Sequence, residues 1–470
     1  MKIGVTSTKH FASMAFRIDP SLHLSEGLQV REELAKSPYE LITIKDASEK
    51  VFYGNIFSRV FVKDKEHGKT YLAASDAVLA NIETGRYLSN KQSNQLKYLW
   101  LQKNWILVTC SGTLGNVTYT NSTFEDKIAT HDLIRIVPND NHILRGVVYA
   151  FLAGKYGYYQ ITQSQFGGVV KHINDKDVRS ILIPNFPDTF QKEVDDLIQE
   201  SARLREEAAD MLSEAERLLK TSANLRDLTP EDYDYFGPRG AGRDVSCFVR
   251  KRKDITTTTF NAFNLSERIR KTRAAMTCTT RPLREVLLGG DTFSSCSVPS
   301  IEVKPEHGIM FINQKDIFDN IIKGKWVSKR NVSLDKLVEY GEVIVACDGT
   351  LGENELFCRA LFANEDLQGA LISTHFIRMK TNNIVSPGYL FTWLNSDYGF
   401  RFIRNCQAGT KLCHPIPTMF LDIPVPIISP DIVNEIDQLV KEAHTKRYKA
   451  NENERKAIRM VEEEIEKWNK

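Results

Sequence analysis

The stretch Ser-Gly-Thr-Leu-Gly at residues 111–115 recurs as Asp-Gly-Thr-Leu-Gly at residues 348–352. An apolar run precedes each copy, Trp-Ile-Leu-Val at 105–108 and Val-Ile-Val-Ala at 343–346. A short apolar run that ends at a glycine is typical of a buried strand leading into a turn. These two stretches, which we call the glycine signatures, therefore predict the same strand and turn twice in one chain.

Further matches surround the two signatures in the same order. Glu-His-Gly at 66–68 recurs at 306–308, and Thr-His at 130–131 recurs at 374–375. From Leu152 onward, a constant offset of 242 residues relates the two halves of the chain. The matched pairs include Leu152 and Leu394, Tyr156 and Tyr398, Gly157 and Gly399, Gln165 and Gln407, His172 and His414, Pro184 and Pro426, and Asp195 and Asp437. An ordered series in one register predicts a duplicated globular unit.

Each unit is followed by a stretch that predicts a long helix, at 187–222 and 429–470. Apolar residues recur at steps of three and four, and neither stretch contains an internal glycine or proline after its first turn. A seam of this kind needs a partner, and pairing of the two helices as an antiparallel coiled coil is one solution. The alternative is that each helix packs on its own domain. Residues 445–456 are polar nearly all round, which leaves the continuity of the second helix open.

The predicted fold is therefore α+β, with two homologous α/β domains separated by two long antiparallel helices. The expected boundaries are 1–186 for the first domain, 187–222 for the first helix and 223–264 for a linker. The second domain is expected at 265–428 and the second helix at 429–470. Two such tandem copies would be related by a pseudo-two-fold axis.

Composition excludes several classes of protein. The chain has 62 basic and 60 acidic side chains, a net charge of +2, so it carries no histone-like coat of positive charge. Its eight cysteines contain no C-x-x-C pair, which favours reduced thiols over a disulfide framework. The N-terminus lacks a signal-peptide pattern and no apolar stretch is long enough to span a bilayer. We expect a cytoplasmic protein that does not bind membranes.

Catalytic motifs are missing from the sequence. It contains no complete Walker A motif, no H-E-x-x-H, no G-x-S-x-G and no methyltransferase-type Asn-Pro-Pro-Tyr. The recurring His131 and His375 are interpreted as structural hydrogen-bonding residues rather than catalytic bases. Cys406, Cys413 and His414 lie close together in sequence, but no second cluster completes a metal site. The sequence therefore predicts a non-catalytic chain with no bound metal and no cofactor of its own.

Several elements recur in the same order in both units. They are the signatures, the Tyr-Gly helices at 156–157 and 398–399, and the Gln-x-Gly stretches with their histidines at 165–172 and 407–414. Together with Gln191 and the Ile-Pro strands that lead into the helices, this pattern resembles the specificity subunits of type I restriction-modification systems. The resemblance runs from about residue 40 to the C-terminus. It implies a DNA-recognition subunit that reads a bipartite target in double-stranded DNA, with one target-recognition domain for each half. It also implies two partner copies of a DNA adenine methyltransferase subunit, which holds S-adenosylmethionine, and a restriction or translocase subunit.

Phosphate anchoring needs lysine or arginine, and base reading needs polar or planar side chains on loops. Two stretches in each unit fit this description, and the alternative for any one residue is ordinary solvated surface. The candidates in the first unit are Lys69, Arg86, Tyr87, Asn90, Lys91, Gln92, Gln163, Ser164, Gln165 and Lys171. Those in the second unit are Lys315, Lys323, Lys325, Trp326, Lys329, Arg330, Gln407, Thr410 and Lys411. The competing hypothesis for the whole chain is a structural coiled-coil scaffold whose two globular domains bind protein partners.

Overall fold

A computed structural model describes residues 8, 23, 25–163, 165, 171–233, 247–255, 258–295, 301–330, 332–352 and 355–468. Helices and strands are mixed throughout, as expected for an α+β fold. The chain divides into two compact units, residues 1–206 with 449–470 (unit 1) and residues 207–448 (unit 2). In the part of the chain that the structure describes, no helix combines the length and apolar character that crossing a bilayer requires.

Unit 1 is built on two four-stranded sheets. Their strand orders are β2-β9-β6-β7 and β3-β5-β4-β8, and β1 pairs separately with β10. The strands are β1 (Leu41–Thr43), β2 (Ser48–Phe52), β3 (Phe61–Val62), β4 (Gly68–Leu72), β5 (Tyr87–Ser89), β6 (Ile106–Thr109), β7 (Val117–Tyr119), β8 (Ile128–Ala129), β9 (Leu133–Pro138) and β10 (Leu182–Pro184). The helices are α1 (Glu26–Leu34), α2 (Asn90–Gln95), α3 (Arg145–Ala153), α4 (Lys155–Gln163), α5 (Asp175–Arg179) and α6 (Asp188–Ser222). All four residues of β6 are buried, as the apolar run before the first signature predicts.

Unit 2 repeats this order of elements. Its main sheet is β12-β18-β15-β16, and a second sheet has the order β14-β13-β17. The strands are β11 (Thr280–Pro282), β12 (Phe293–Ser294), β13 (Gly308–Ile312), β14 (Lys325–Ser328), β15 (Val343–Ala346), β16 (Ala360–Phe362), β17 (Leu371–Ile372), β18 (Phe376–Met379), β19 (Gln407–Ala408), β20 (His414–Pro415) and β21 (Pro424–Pro426). The helices are α7 (Pro230–Tyr233), α8 (Glu267–Ala274), α9 (Leu283–Val286), α10 (Pro387–Asn395), α11 (Asp397–Asn405), α12 (Pro417–Leu421) and α13 (Pro430–Lys467).

The offset of 242 residues also relates individual contacts. The backbone N–H of Gly146 donates to Asp195 at 2.7 Å, and that of Gly388 donates to Asp437 at 2.8 Å. A Cβ atom at either glycine would lie under 3 Å from that carboxylate, so the close approach of α3 to α6, and of α10 to α13, requires glycine. The repeated letters in the sequence therefore correspond to the same helix contact in both units.

The second long helix, α13, is continuous from Pro430 to Lys467. The polar residues in its middle form hydrogen bonds and ion pairs with residues that lie between 246 and 305 positions away in sequence. In unit 1, Arg205 of α6 donates to Asn451 at 2.9 Å and pairs with Glu454 at 2.6 Å, and the hydroxyl of Tyr149 also bonds to Glu454. The hydroxyl of Ser201 donates to the carbonyl of Ala450 at 2.9 Å. The polar residues thus form a buried network and do not fray the helix.

Within unit 2, the second half of α6 and the first half of α13 run antiparallel. Lys446 pairs with Glu207 at 2.9 Å, whereas Glu435 acts electrostatically on Arg217. Residue numbers therefore rise on one helix as they fall on the other. Ala215 and Leu219 of α6 share a core with Ile436 and other apolar residues of α13, so this pairing buries the predicted seam.

One buried histidine makes the stability of unit 2 depend on pH. His444 of α13 lies between the rings of Phe362 and Phe391, at centroid distances of 5.0 and 5.4 Å, and its Nε2 has no hydrogen-bond partner in the described structure. Burial first, and then the charge of Arg447, lowers the pKa of His444 well below its ordinary value of 6.5. Below about pH 6.5 the imidazole of His444 binds a proton in the unfolded chain but stays neutral in the folded chain.

We therefore expect the free energy of unfolding to fall as the pH drops below 6.5, by up to about 1.4 kcal/mol per pH unit from this group. Urea unfolding between pH 8 and pH 5 measures this slope, and His444→Leu should remove the contribution of one proton. A variant that keeps the wild-type slope would contradict the assignment.

Candidate nucleic-acid interface

Three separate sequence motifs meet at one place in unit 2. Gly349 of the glycine signature exchanges two backbone hydrogen bonds with Cys413 of the 407–414 stretch, at 3.2 and 2.8 Å. The N–H of Cys347 donates to the carbonyl of His375, in the Thr-His turn, at 3.0 Å. The signature, the Thr-His turn and the 407–414 loop are therefore neighbours at the end of β15.

The same three motifs meet in unit 1 at the end of β6. Gly112 of the signature donates to the carbonyl of Lys171 at 3.2 Å, and Ser111 forms an antiparallel bridge with His172. Cys110 donates to the carbonyl of Asp132, next to the Thr-His turn, at 3.3 Å. Gly112 has a φ of +74°, a left-handed conformation that glycine adopts without strain. The signature glycine thus shapes the turn that brings the motifs together.

The chemistry of the site differs between the two units. In unit 2 the carboxylate of Asp348 accepts hydrogen bonds from the Nδ1 atoms of both His375 and His414. Each imidazole side chain is 55% exposed, so both rings are anchored at one nitrogen while much of the ring faces solvent. Ser111 stands at the position of Asp348 in unit 1, where His131 lies 3.5 Å from Asp132 instead. The two signatures therefore make similar bridges to the neighbouring loop, but only Gly112 and Gly115 of the first have positive φ, and the two turns carry different polar groups.

Sequence reasoning missed Asp348 as a member of the site. The signal was present, because the first letter of the signature is serine in one copy and aspartate in the other. A difference between two copies at an otherwise matched turn points to a position that varies with function. The sequence could not show that both recurring histidines of unit 2 meet this carboxylate.

The first group of predicted DNA contacts in unit 1 lies on β4, β5 and α2. Several of these side chains have internal partners. Lys69 lies over the ring of Trp100 at 3.8 Å and pairs with Asp126 at 3.2 Å, and Arg86 pairs with Asp76. Asn90 donates to the carbonyl of Glu66 at 2.9 Å, and the Gln92 amide accepts from the N–H of Val60 at 2.9 Å. Lys91 is exposed, and Tyr87 is half-buried in β5.

The corresponding group in unit 2 is more exposed. Lys315, Lys323, Lys325, Trp326, Lys329 and Arg330 all lie on the surface around β13 and β14. Lys325 pairs with Glu302 at 2.5 Å, whereas Trp326 leaves 38% of its surface exposed. Burial and the charge of Asp316 raise the pKa of Asp319 to about 6, and Lys323 and Lys315 act against that rise, so these two cations lie near two acidic side chains. Basic side chains around an exposed indole are a surface suited to a nucleic-acid backbone.

The second group of candidates divides into buried and exposed residues. Gln163 and Gln407 are only 2% and 3% exposed, which is typical of a structural role. Thr410 and Lys411 are exposed on the turn between β19 and β20, where Gly409 has a φ of +101°. Lys171 is exposed and Gln165 half-buried, and Ser164 lies outside the described residues. The turns and their cations, rather than the glutamines, form the accessible part of this loop.

The cysteines show no arrangement for a metal. Among the described residues, no group of three or more histidine, cysteine, aspartate or glutamate side chains is placed to hold an ion. Cys406 and Cys413 are buried free thiols, and burial raises the pKa of each.

Comparison with known proteins finds one family model that matches part of unit 1. Residues 36–198 match the family model described as the type I restriction modification DNA specificity domain. This match confirms, over residues 36–198, the resemblance seen in the sequence to the specificity subunits of type I restriction-modification systems, and a DNA-recognition role fits it better than a structural scaffold does. No curated protein matches the chain significantly.

The chain is also similar to several solved structures. The S subunit of the type I restriction-modification system from M. genitalium is 13% identical, with 92% of this chain and 96% of that chain covered and a TM-score of 0.35. The HsdS subunit from Thermoanaerobacter tengcongensis is 12% identical, with the same two coverages and a TM-score of 0.26. A structure described as the structural basis of complex assembly and conformational transition of the type I R-M system is 13% identical, covers 92% and 98%, and has a TM-score of 0.27.

Proposed function

We propose that both units read DNA, each recognising one half of a bipartite target. The observation that carries this proposal is the arrangement in unit 2, which lies outside residues 36–198. There the signature, the Thr-His turn and the loop at 407–414 meet as their counterparts do in the matched domain. Since Asp348 replaces Ser111 at the centre of this arrangement, the two halves of the target are expected to differ in sequence. An asymmetric target follows from two similar frames with different polar side chains.

The long helices act in this proposal as a spacer and a docking surface. Helix α6 has 35 residues, which at the rise of an α-helix corresponds to about 50 Å, or about 15 base pairs of duplex. That length separates two short half-sites by a stretch of DNA that is not read. A duplicated chain suits two copies of one partner, which we propose to be a DNA adenine methyltransferase subunit that holds S-adenosylmethionine. A restriction or translocase subunit would join the same assembly, and this chain itself would contribute recognition without catalysis.

Methylome sequencing of the host tests this function directly. Deletion of the gene should abolish adenine methylation at one bipartite, asymmetric motif and leave other methylated motifs unchanged. Complementation with the full chain should restore the same motif. An unchanged methylome would contradict the proposal and favour the alternative, a coiled-coil scaffold whose globular units bind protein.

A further inference from the structure

A surface of unit 1 beside the motif site was not predicted from the sequence. The segment leading into β3 exposes four large apolar side chains within nine residues. These are Tyr53 (47% exposed), Ile56 (85%), Val60 (55%) and Phe61 (48%). Large apolar side chains exposed this close together in sequence make the segment a candidate contact surface.

An arginine in this segment is held in position by two buried residues. The Nε of Arg59 donates to the hydroxyl of Tyr71 at 2.6 Å, and its Nη2 donates to the hydroxyl of Thr130 at 3.2 Å. Tyr71 and Thr130 are each only 2% exposed, whereas Arg59 itself is exposed. The guanidinium therefore lies at the surface in one orientation, and in the described structure no carboxylate lies within ion-pair distance of it.

A second, fully buried arginine converges on the same threonine. Arg135 of β9 donates to the carbonyl of Thr130 at 3.1 Å and to that of Ala129 at 2.9 Å, and its Nε has no partner among the described residues. Burial lowers the pKa of Arg135 to about 10, so the group stays charged at neutral pH. Its counterpart in unit 2, Arg378, is neutralised by Glu342, but no described carboxylate pairs with Arg135.

One carboxylate, that of Asp132, lies close to Thr130 and offsets part of the positive charge there. Asp132 accepts a hydrogen bond from the hydroxyl of Thr130 at 3.3 Å, and its other oxygen lies 3.5 Å from the ring of His131. The Nδ1 of His131 has no partner in the described part of unit 1. Two guanidinium groups, one of them held at the surface, thus meet at Thr130 with a single carboxylate shared with a histidine. The local excess of positive charge favours an anionic ligand.

We propose that Arg59 binds a backbone phosphate of duplex DNA at this surface, which extends the recognition site of unit 1 onto the 53–62 segment. The inference rests on the proposed function, because it assigns the anion to the DNA that the chain reads. A guanidinium held by two hydrogen bonds can offer its remaining N–H groups to phosphate oxygens with little loss of entropy. The positive charge of Arg135, which lies buried beneath this surface, also attracts the phosphate.

The position of Arg59 favours DNA over a protein partner. Thr130 belongs to the Thr-His turn, and Cys110 beside the signature donates to the carbonyl of Asp132 in the same turn. Lys69 lies two residues from Tyr71 on β4, and alternation along a strand places both side chains on one face. The Arg59 surface is therefore continuous with a candidate DNA contact on one side and the motif site on the other.

The test measures binding of the full chain to a duplex that carries the motif whose methylation depends on it, over a range of salt concentrations. Arg59→Ala should weaken binding about tenfold. It should also reduce the slope of log affinity against log salt by about 1, because one phosphate contact is lost. Tyr71→Phe keeps the charge but frees the guanidinium, so affinity should fall a few-fold with the slope unchanged. Arg203→Ala, on the exposed side of α6, is the matched control and should bind like the wild type.

The possible outcomes distinguish a failure of the proposed DNA-recognition function from a failure of the phosphate assignment to Arg59. If the wild-type chain does not bind the duplex, the proposed function fails. If the wild type binds and Arg59→Ala binds equally well with the same slope, this inference alone is overturned, and the apolar surface is assigned to a protein partner. A loss of affinity in Arg59→Ala without a change of slope also overturns the phosphate assignment. Arg59→Lys is the control for misfolding. Because lysine keeps the positive charge, this variant should keep the salt slope while its affinity for the duplex drops.

Discussion

Replacing Glu342 with alanine is expected to lower the free energy of unfolding of unit 2 by about 3–5 kcal/mol, because it leaves a buried guanidinium without its counter-charge. Arg378 and Glu342 are each only 1% exposed, and two nitrogens of the arginine reach the carboxylate at 2.7 and 2.8 Å. The remaining guanidinium nitrogen bonds to the carbonyl of Lys336 at 2.7 Å, so the charge cannot turn toward water. Urea unfolding at neutral pH measures the loss.

A surface pair nearby provides the control. Lys380 and Glu339 pair at 2.6 Å, but the glutamate side chain is 65% exposed, so Glu339→Ala should cost less than about 1 kcal/mol. The double variant Glu342→Leu with Arg378→Met removes both charges and should recover most of the stability. If the double variant is as unstable as Glu342→Ala alone, the loss comes from packing and not from an unpaired charge.

This ion pair also shows how the fold supports the site. Glu342 directly precedes β15, which leads into the signature, and Arg378 lies in β18, which starts after the Thr-His turn. The pair therefore fixes the two strands that carry Asp348 and His375. Unit 1 holds the corresponding turn differently, because Arg135 bonds to the carbonyls of the turn itself. Arg378 and Arg135 occupy the same position in matching strands. Arg378 of unit 2 is neutralised and has a structural role, whereas Arg135 of unit 1 adds a positive charge that no described carboxylate neutralises.

Local pattern was enough to predict the strands that lead into the signatures and the two long helices. The apolar runs before the signatures form β6 and β15, and the regular seams form α6 and α13. These features depend on residues close in sequence, whose periodicity is visible without a structure. Gly146 and Gly388, like Asp195 and Asp437, match at the same offset, but the contact between glycine and aspartate in each unit is visible only in the structure.

Long-range polar contacts could not be predicted in the same way. The middle of α13 is polar all round, and only the structure shows that Asn451 and Glu454 meet Arg205. Glutamine is a residue type that often reads DNA bases, yet the side chains of Gln163 and Gln407 are buried. Arg59 was missed because its exposed position depends on Tyr71 and Thr130, which lie 12 and 71 residues away. Burial and partners at such distances are properties of the fold, not of the local pattern.

The largest effect on DNA binding is expected from removing four exposed cations of unit 2 together. The variant carries Lys323→Ala, Lys325→Ala, Lys329→Ala and Arg330→Ala. Each phosphate contact contributes about 0.9 to the slope of log affinity against log salt, so the slope should fall by up to about 3.6. Four charge-assisted contacts together should reduce affinity by roughly a thousand-fold at low salt. Fluorescence anisotropy with the motif duplex at several salt concentrations measures both quantities.

A second variant separates local contacts from total charge. Lys192, Arg203, Arg217 and Lys467 lie on the long helices, each paired with an acidic residue three or four positions away. Changing these four to alanine removes the same net charge from surfaces that are not expected to meet DNA, so its effect on affinity should be small. If both variants weaken binding equally, attraction is a property of the whole chain, and the cations around β14 are not an interface. If neither weakens binding, the scaffold hypothesis gains support, because these four cations are exposed candidate contacts of unit 2.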